Sequence, residues 1–225
     1  MFVLNDLPPQ IPKELLDLLV KAEPATIGHF LDFGFADPEV RALLPDKRIA
    51  GTAVTCRFAG IDGSIMHYAL GQLRPGDVLV VDRAGDRRHA ACGGGVCFAA
   101  RAAGALGIII DGPATDIGEI RQYGLPVWAR GLSAVTSKRT YTHGEFCVPI
   151  TCGGVTVMPG DAVLADENGI LFLRPDMVEA TSKRGIEMQA AEGPRLERVA
   201  KGERLPDING TNARIREIVA AHGRK

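Results

Sequence analysis

The chain has no run of 18 apolar residues, so it offers no segment long enough to cross a bilayer as a helix. It also has almost no net charge: 26 Lys and Arg stand against 27 Asp and Glu, a balance of −1. Nucleic-acid surfaces need Lys and Arg clustered in excess, so neither nucleic acid nor membrane is expected as a partner. No G-x-x-x-x-G-K-[ST] segment occurs, which excludes a P-loop. The one glycine run fails the G-x-G-x-x-G dinucleotide template, because Phe98 stands where the last glycine belongs. The start, MFVLNDLPPQIPKE, lacks both a basic segment ahead of its short apolar patch and a small-residue cleavage site. It does not read as a secretory leader, and a soluble cytoplasmic protein is the expectation. Cysteines number five, and two pairs, Cys92/Cys97 and Cys147/Cys152, are each five residues apart. Positions five apart diverge by about 140° on a helix and fall on opposite faces of a strand. Neither pair is therefore expected to present two thiolates to one zinc, disulfides are rare in the cytosol, and all five read as small buried hydrophobes.

What is present, 225 residues of which 46% are hydrophobic, suits one large domain or one domain with helical extensions, with enough apolar content for a real core. Residues 1–10 read as an irregular arm blocked by Pro8-Pro9. Pro12 opens a helix, Thr26 caps a second one, and 37–47 adds a helical turn. From Ile49 strands and helices alternate: a strand over 49–60, a helix over 64–73, strands at 78–81 and 108–110, a helix at 117–123 and a strand at 126–129. RPGDVLVVD (74–82) and MPGDAVLAD (158–166) are matching turn-to-strand entries. Short strands follow at 146–151, 154–158, 162–165 and 169–173. From Asp176 the chain is helical again, with an interruption expected at Gly193-Pro194. Helices mixed with strands, then a run of strands, define an α/β core with a β-rich second half.

The chemistry gathers in CGGGVCFAARAAGALGIIIDGPATDIGE (92–119). Gly93, Gly94 and Gly95 open a helix-forming run, and the amides of a glycine-rich helix start can receive an anion. Asp111-Gly112 closes the strand 108–110, at the strand end where α/β folds place ligands. Asp111 reads as a turn residue. Asp116 can cap the following helix, hold a hard cation such as Mg²⁺, or do both. Glu119 lies one turn further on the same side. Just upstream, DRAGDRRHA (82–90) carries Arg83, Arg87, Arg88 and His89 into the glycine turn.

These blocks resemble the RraA-like family, which holds the 4-hydroxy-4-methyl-2-oxoglutarate/4-carboxy-4-hydroxy-2-oxoadipate aldolases and the regulator of ribonuclease E activity A. Gly93 to Val96 fall on the family's Gly-Asp/Glu-Leu helix start, and DGPATD (111–116) on its Gly-Ala-Val-Arg-Asp block. The likeness extends through LPVWARG (125–131) and VTVMPGDAVLADENGI (155–170), covering about residues 25 to 175. Two positions depart: Thr115 replaces the family's arginine, and Gly94 its first acid. The resemblance implies a β/β/α swivelling-type domain over 25–175, with helical pieces at 1–24 and 176–225. It also implies a homotrimer or homohexamer and a divalent metal, Mg²⁺ or Mn²⁺, on Asp116. The expected activity is metal-dependent cleavage of a small 2-oxo acid through a pyruvate-type enolate, with oxaloacetate decarboxylation as a related reaction. Gly93, Gly94, Gly95 and Val96 would hold the substrate carboxylate, with Thr115 and Arg87 beside them. Arg88 would supply the charge that Thr115 does not. The alternative is a non-catalytic regulatory or binding member.

Overall fold

The computed structural model of the chain describes residues 1–223 and places four parallel strands at its centre. These are β3 (Ile49–Arg57), β4 (Asp77–Asp82), β5 (Gly107–Asp111) and β6 (Val127–Ala129), adjacent in that order. Helices α3 (Ser64–Leu70), α4 (Gly94–Ala102) and α5 (Ile117–Tyr123) connect them in turn. Alternation along the strands sorts the core into two layers. Val54, Cys56, Leu79, Val81, Ile108 and Ile110 face the three helices. Ala53, Val78, Val80, Ile109 and Trp128 face the other way.

That second face is covered by β structure. A hairpin of β8 (Ile150–Cys152) and β9 (Val155–Val157) packs there, together with β10 (Ala162–Ala165) and β11 (Ile170–Leu173). β10 pairs antiparallel with both β11 and β3, so the sheet folds over its own core. Trp128 is 1% exposed between the layers, with its indole Nε1 donating to the Asp166 carbonyl at 2.8 Å. Truncating a buried tryptophan costs roughly 3–5 kcal/mol, so this residue is a main tie between the two β layers. The two P-G-D entries work alike. Asp77 accepts from the Arg74 N–H and Asp161 from the Met158 N–H, each at 2.8 Å and each closing its own turn.

The helices α1 (Lys13–Leu19), α2 (Pro24–Ile27) and the first turns of α6 (Val178–Ala200) close the outer face of β10 and β11. Leu19, Ile27, Leu164, Leu171 and Val178 meet in that third cluster. The first α6 turns and the N-terminal helices are thus packed on the core, while the chain beyond Ala190 is mostly exposed through α7 (Leu205–Ile208) and α8 (Thr211–His222). No helix among the described residues is long and apolar enough to cross a membrane.

Four local expectations fail, each because a neighbour outweighs the local signal. Pro8-Pro9 do not prevent β1 (Phe2–Leu4), which ends four residues before the first proline and pairs parallel with β7 (Gly144–Phe146), β7 itself lying antiparallel to β3. Residues 37–47 form no helix: they hold a single hydrogen-bonded turn at 37–40, after which β2 (Arg41–Ala42) joins the free edge of β6. The second helix starts at Pro24, capped by Glu23, rather than at Thr26. Helix α6 runs unbroken through Gly193-Pro194. That turn is exposed, so water can satisfy the carbonyl that Pro194 leaves without a donor.

Candidate active site

The loops at the carboxyl ends of β3, β4 and β5 are stitched into one platform by residues 132–138. Parallel bridges join Leu132 to Ala114, Thr136 to Ala90 and Lys138 to Asp62, and a fourth joins Cys92 to Ala114. The Thr115 N–H donates to the Cys92 carbonyl at 2.8 Å, so the glycine turn and the DGPATD block run side by side. Asp62 anchors the far end of the strap. It accepts from Ser64 N–H and Oγ–H, Thr140 N–H, and Thr142 N–H and Oγ–H. Burial pushes the Asp62 carboxyl up, but the Ser64 and Thr142 hydrogen bonds outweigh it and hold the group well below its ordinary range.

The glycines are there for space. Gly93 is the extended N-cap of α4 and Gly94 its first residue, and neither has a positive φ. A Cβ on Gly93 would lie 2.3 Å from Asp116 Oδ2, and one on Gly94 would lie 1.6 Å from Glu119 Oε2 and 2.6 Å from Glu119 Cβ. At Gly95 nothing stands within 4 Å. Gly95→Ala is therefore expected to stabilise the protein by about 0.5–1 kcal/mol, the glycine penalty inside a helix. Gly94→Ala must push α5 away and is expected to destabilise it. Paired urea denaturation curves check both signs; a stabilising Gly94→Ala would show that the glycine is not there for Glu119.

Asp116 is the N-cap of α5, yet it makes no side-chain cap. Its backbone is left-handed, with φ 53°, a region in which Asp is tolerated better than most residues. That turn sends the carboxylate back to α4, where Oδ2 accepts the Gly94 N–H at 3.2 Å. Thr115 Oγ1 lies 3.4 Å from Asp116 Oδ1. The next amides of α4, at Gly95 and Val96, have no intrahelical acceptor, as in any first turn. Asp116 and Glu119 thus converge on one glycine from a single turn of α5. Among the described residues no three His, Cys, Asp or Glu side chains gather as a metal cluster.

Asp111, expected as a turn residue, is instead the last residue of β5, paired with Asp82 of β4. Its Oδ1 pairs with Arg130 Nε, and its Oδ2 accepts the Gly153 N–H at 2.9 Å. Arg130, 6% exposed, also reaches Asp37 at 3.0 Å and Glu39 at 2.9 Å. Burial works against its charge, but the bonds to Asp111 and Asp37 prevail and raise its pKa. Sequence reasoning did not single out Arg130. Its only signal was its place in LPVWARG, since the acids that bind it come from two distant segments, Asp37 with Glu39 and Asp111.

The basic loop divides by residue. Arg83 is wholly buried, 3.9 Å over the Phe58 ring, and donates to the carbonyls of Phe58 and Gly60 and to Asp86. A Cβ on Gly112 would lie 2.5 Å from Arg83 Cγ, so that glycine makes room for the arginine. Asp86 also accepts from the Arg88 N–H, the His89 N–H and His89 Nδ1. Burial raises the Asp86 pKa, and these donors more than reverse it. Arg83 is therefore a pin, and Arg87 and Arg88 project from the turn it fixes. Arg87 Nη1 lies 3.6 Å from Glu39, and the Arg88 carbonyl accepts from Ser133 Oγ at 2.6 Å. Among the described residues neither guanidinium is hydrogen-bonded to Gly93–Val96 within this chain.

The cysteines need one correction. All five are buried, as expected, but Cys92 and Cys97 touch, with Sγ atoms 3.3 Å apart. The spacing argument assumed one continuous helix or strand. Cys92 precedes the N-cap, so its side chain is free to turn onto the first turn of α4.

A helix layer, a parallel sheet and a second β layer, with a platform of loops at the strands' carboxyl ends, define a β/β/α domain. The RraA-like model (Aldolase/RraA) matches residues 26–172, and the chain belongs to that family. A protein of Halalkalibacterium halodurans named "Putative 4-hydroxy-4-methyl-2-oxoglutarate aldolase" is 31% identical over 156 residues, 69% of this chain and 74% of that one. The crystal structure of an uncharacterized protein from Pseudomonas syringae pv. tomato superposes with a TM-score of 0.79 at 24% identity, covering 93% of this chain and 98% of that chain, and shows the same fold. The Thermus structure described as the RNA-processing inhibitor RraA has a TM-score of 0.61 at 30% identity, covering 68% and 93%.

Proposed function

We propose that the chain is a divalent-metal-dependent lyase that cleaves a small 2-oxo acid through a pyruvate-type enolate. The activity is like that of a 4-hydroxy-4-methyl-2-oxoglutarate aldolase, with oxaloacetate decarboxylation as a related reaction. The observation that carries this reading is the left-handed Asp116, whose carboxylate leaves its own helix and turns to the start of α4. The aldolase name of the Halalkalibacterium relative supports it at the level of the family.

Two hard carboxylates on one glycine turn suit Mg²⁺ or Mn²⁺, which takes one or two protein carboxylates and fills its other positions with water and substrate oxygens. Asp116 would hold the ion and Glu119 would order a water beside it. A cation there supplies a Lewis acid that draws negative charge toward the 2-oxo oxygen. The residues do the rest. The amides of Gly93 to Val96 receive the substrate carboxylate at the positive end of α4. Thr115 Oγ–H gives one neutral hydrogen bond. Arg88, with Arg87 behind it, brings the positive charge that stabilises the developing oxyanion. In the cleavage the substrate hydroxyl gives up its proton and the adjacent carbon–carbon bond breaks. Its electron pair stays with the pyruvate fragment, which then takes a proton on carbon. A panel of 2-oxo acids assayed with Mg²⁺ tests this. At least one is expected to turn over, with activity lost in EDTA and restored by Mg²⁺ or Mn²⁺; inertness on the whole panel would reject it.

Thr115 favours a second reading, a non-catalytic regulatory member, since a neutral hydroxyl stands where a bidentate cation is expected. The Thermus neighbour's description as an RNA-processing inhibitor is consistent with such members. Under either reading the chain assembles as a homotrimer or homohexamer. Leu196 and Val199 on α6 and Ile215, Ile218 and Val219 on α8 are exposed, and association would cover them. Sedimentation at micromolar concentration is expected to give three or six chains; a monomer would contradict it.

A further inference from the structure

Cys92 and Cys97 flank the three glycines, and nothing in the proposed chemistry uses them. Their Sγ atoms are 3.3 Å apart and both residues are 1% exposed or less. A disulfide needs about 2.05 Å. The remaining approach falls on Gly93-Gly94-Gly95, the most compliant backbone available, and on side-chain torsions. Both ends of the pair are wired to the proposed site. The Cys92 carbonyl holds the Thr115 N–H, and Gly93 lies against Asp116, while Cys97 N–H donates to the Gly93 carbonyl and closes the first turn of α4.

We infer that Cys92 and Cys97 form a reversible disulfide that displaces the start of α4 and switches off the site made by Gly93–Val96 and Asp116, an inference that rests on the functional reading above. The oxidant is a peroxide. One thiolate attacks a peroxide oxygen, giving a sulfenic acid and water; the second thiol attacks the sulfenic sulfur, forming the S–S bond and releasing a second water. Two thiols and one H₂O₂ thus become one disulfide and two H₂O. The contact with Cys97, and burial with it, push the Cys92 thiol up, so little of it is the reactive thiolate at rest and its oxidation is slow. With both thiols buried, the oxidant enters through local opening at the start of α4. Closing the bond draws residue 92 toward α4, which pulls on Thr115 and lifts Gly93 and Gly94 against the Asp116 carboxylate.

The test treats the native full chain with H₂O₂, blocks free thiols, and maps peptides by mass. A Cys92–Cys97 cross-link, 2 Da lighter and reversed by dithiothreitol, is expected, and Cys97→Ser is expected to abolish it. Backbone hydrogen exchange at 93–97 should rise at least about tenfold on oxidation in wild type and stay unchanged in Cys97→Ser. Mn²⁺ affinity, read by calorimetry, should fall at least about tenfold in the oxidised protein and recover on reduction. Native peroxide treatment that leaves Cys92 and Cys97 separately modified, with no cross-link, overturns the proposal; so does a cross-link that leaves both exchange and Mn²⁺ affinity unmoved. If the reduced protein itself binds no Mn²⁺, the metal-site reading fails, and the switch is then judged on the cross-link and exchange alone.

Discussion

Asp116→Asn is expected to lower Mg²⁺ or Mn²⁺ affinity at least about 100-fold in calorimetry and to reduce turnover by a similar factor, the scale of losing one preorganised charge at a reacting oxyanion. Asparagine is the informative substitution because the residue is left-handed, with φ 53°. Asn accepts that backbone about as well as Asp, whereas Ala is strained there. Asp116→Asn therefore removes the charge and keeps the turn. Asp116→Ala should lose metal binding too, together with some stability, and comparison of the two separates ligand from backbone effects. Unchanged affinity in both variants would remove Asp116 from the site and take the lyase reading with it.

The second large effect is expected from Arg88. If it replaces the charge missing at Thr115, Arg88→Ala should cost at least about 100-fold in kcat/KM, equivalent to about 2.7–4 kcal/mol of transition-state stabilisation. Arg87→Ala should cost less, since Arg87 already faces Glu39. Arg88 lies on a turn fixed by Arg83 and Asp86, five residues ahead of Gly93. Its guanidinium is exposed and makes no ion pair among the described residues, and under this reading it turns onto an acid bound at Gly93–Gly95. Thr115→Arg makes the complementary test, with aldolase-type activity expected to rise or stay level. An inert wild type that gains activity on Thr115→Arg would instead show a chain that has given up the chemistry, and the regulatory reading would stand.

Much of this was legible in the residues, because the signals that set it are local. Alternation from Ile49 onward gave the central strands, since one face of each must meet helices and the other the second β layer. Asp111 read as a turn residue but closes β5, where Arg130 and the Gly153 amide bind its carboxylate. The glycine run and Asp116 stood out as chemistry-bearing, and they do meet. The β/β/α layering came from family resemblance, because periodicity does not say which sheet covers which.

What only the tertiary structure decided depends on residues far apart in sequence. The left-handed turn at Asp116 decides that its carboxylate serves α4 instead of capping α5, and no periodicity encodes a single φ angle. The need for Gly94 arises from Glu119, 25 residues later, and that for Gly112 from Arg83, 29 residues earlier. In sequence Arg83 stands with Arg87 and Arg88 in one basic loop leading into the glycine turn, but four neighbouring groups and an aromatic ring draw it alone inside. Cys92 and Cys97 were set apart by a helical angle that does not apply, because the helix begins between them. The sequence by itself determined the elements, the family and the residues that carry charge to the strand ends. Which of those residues face one another was settled by packing, since side-chain direction at a helix start or loop follows from the backbone turn and its neighbours, not from residue type or spacing.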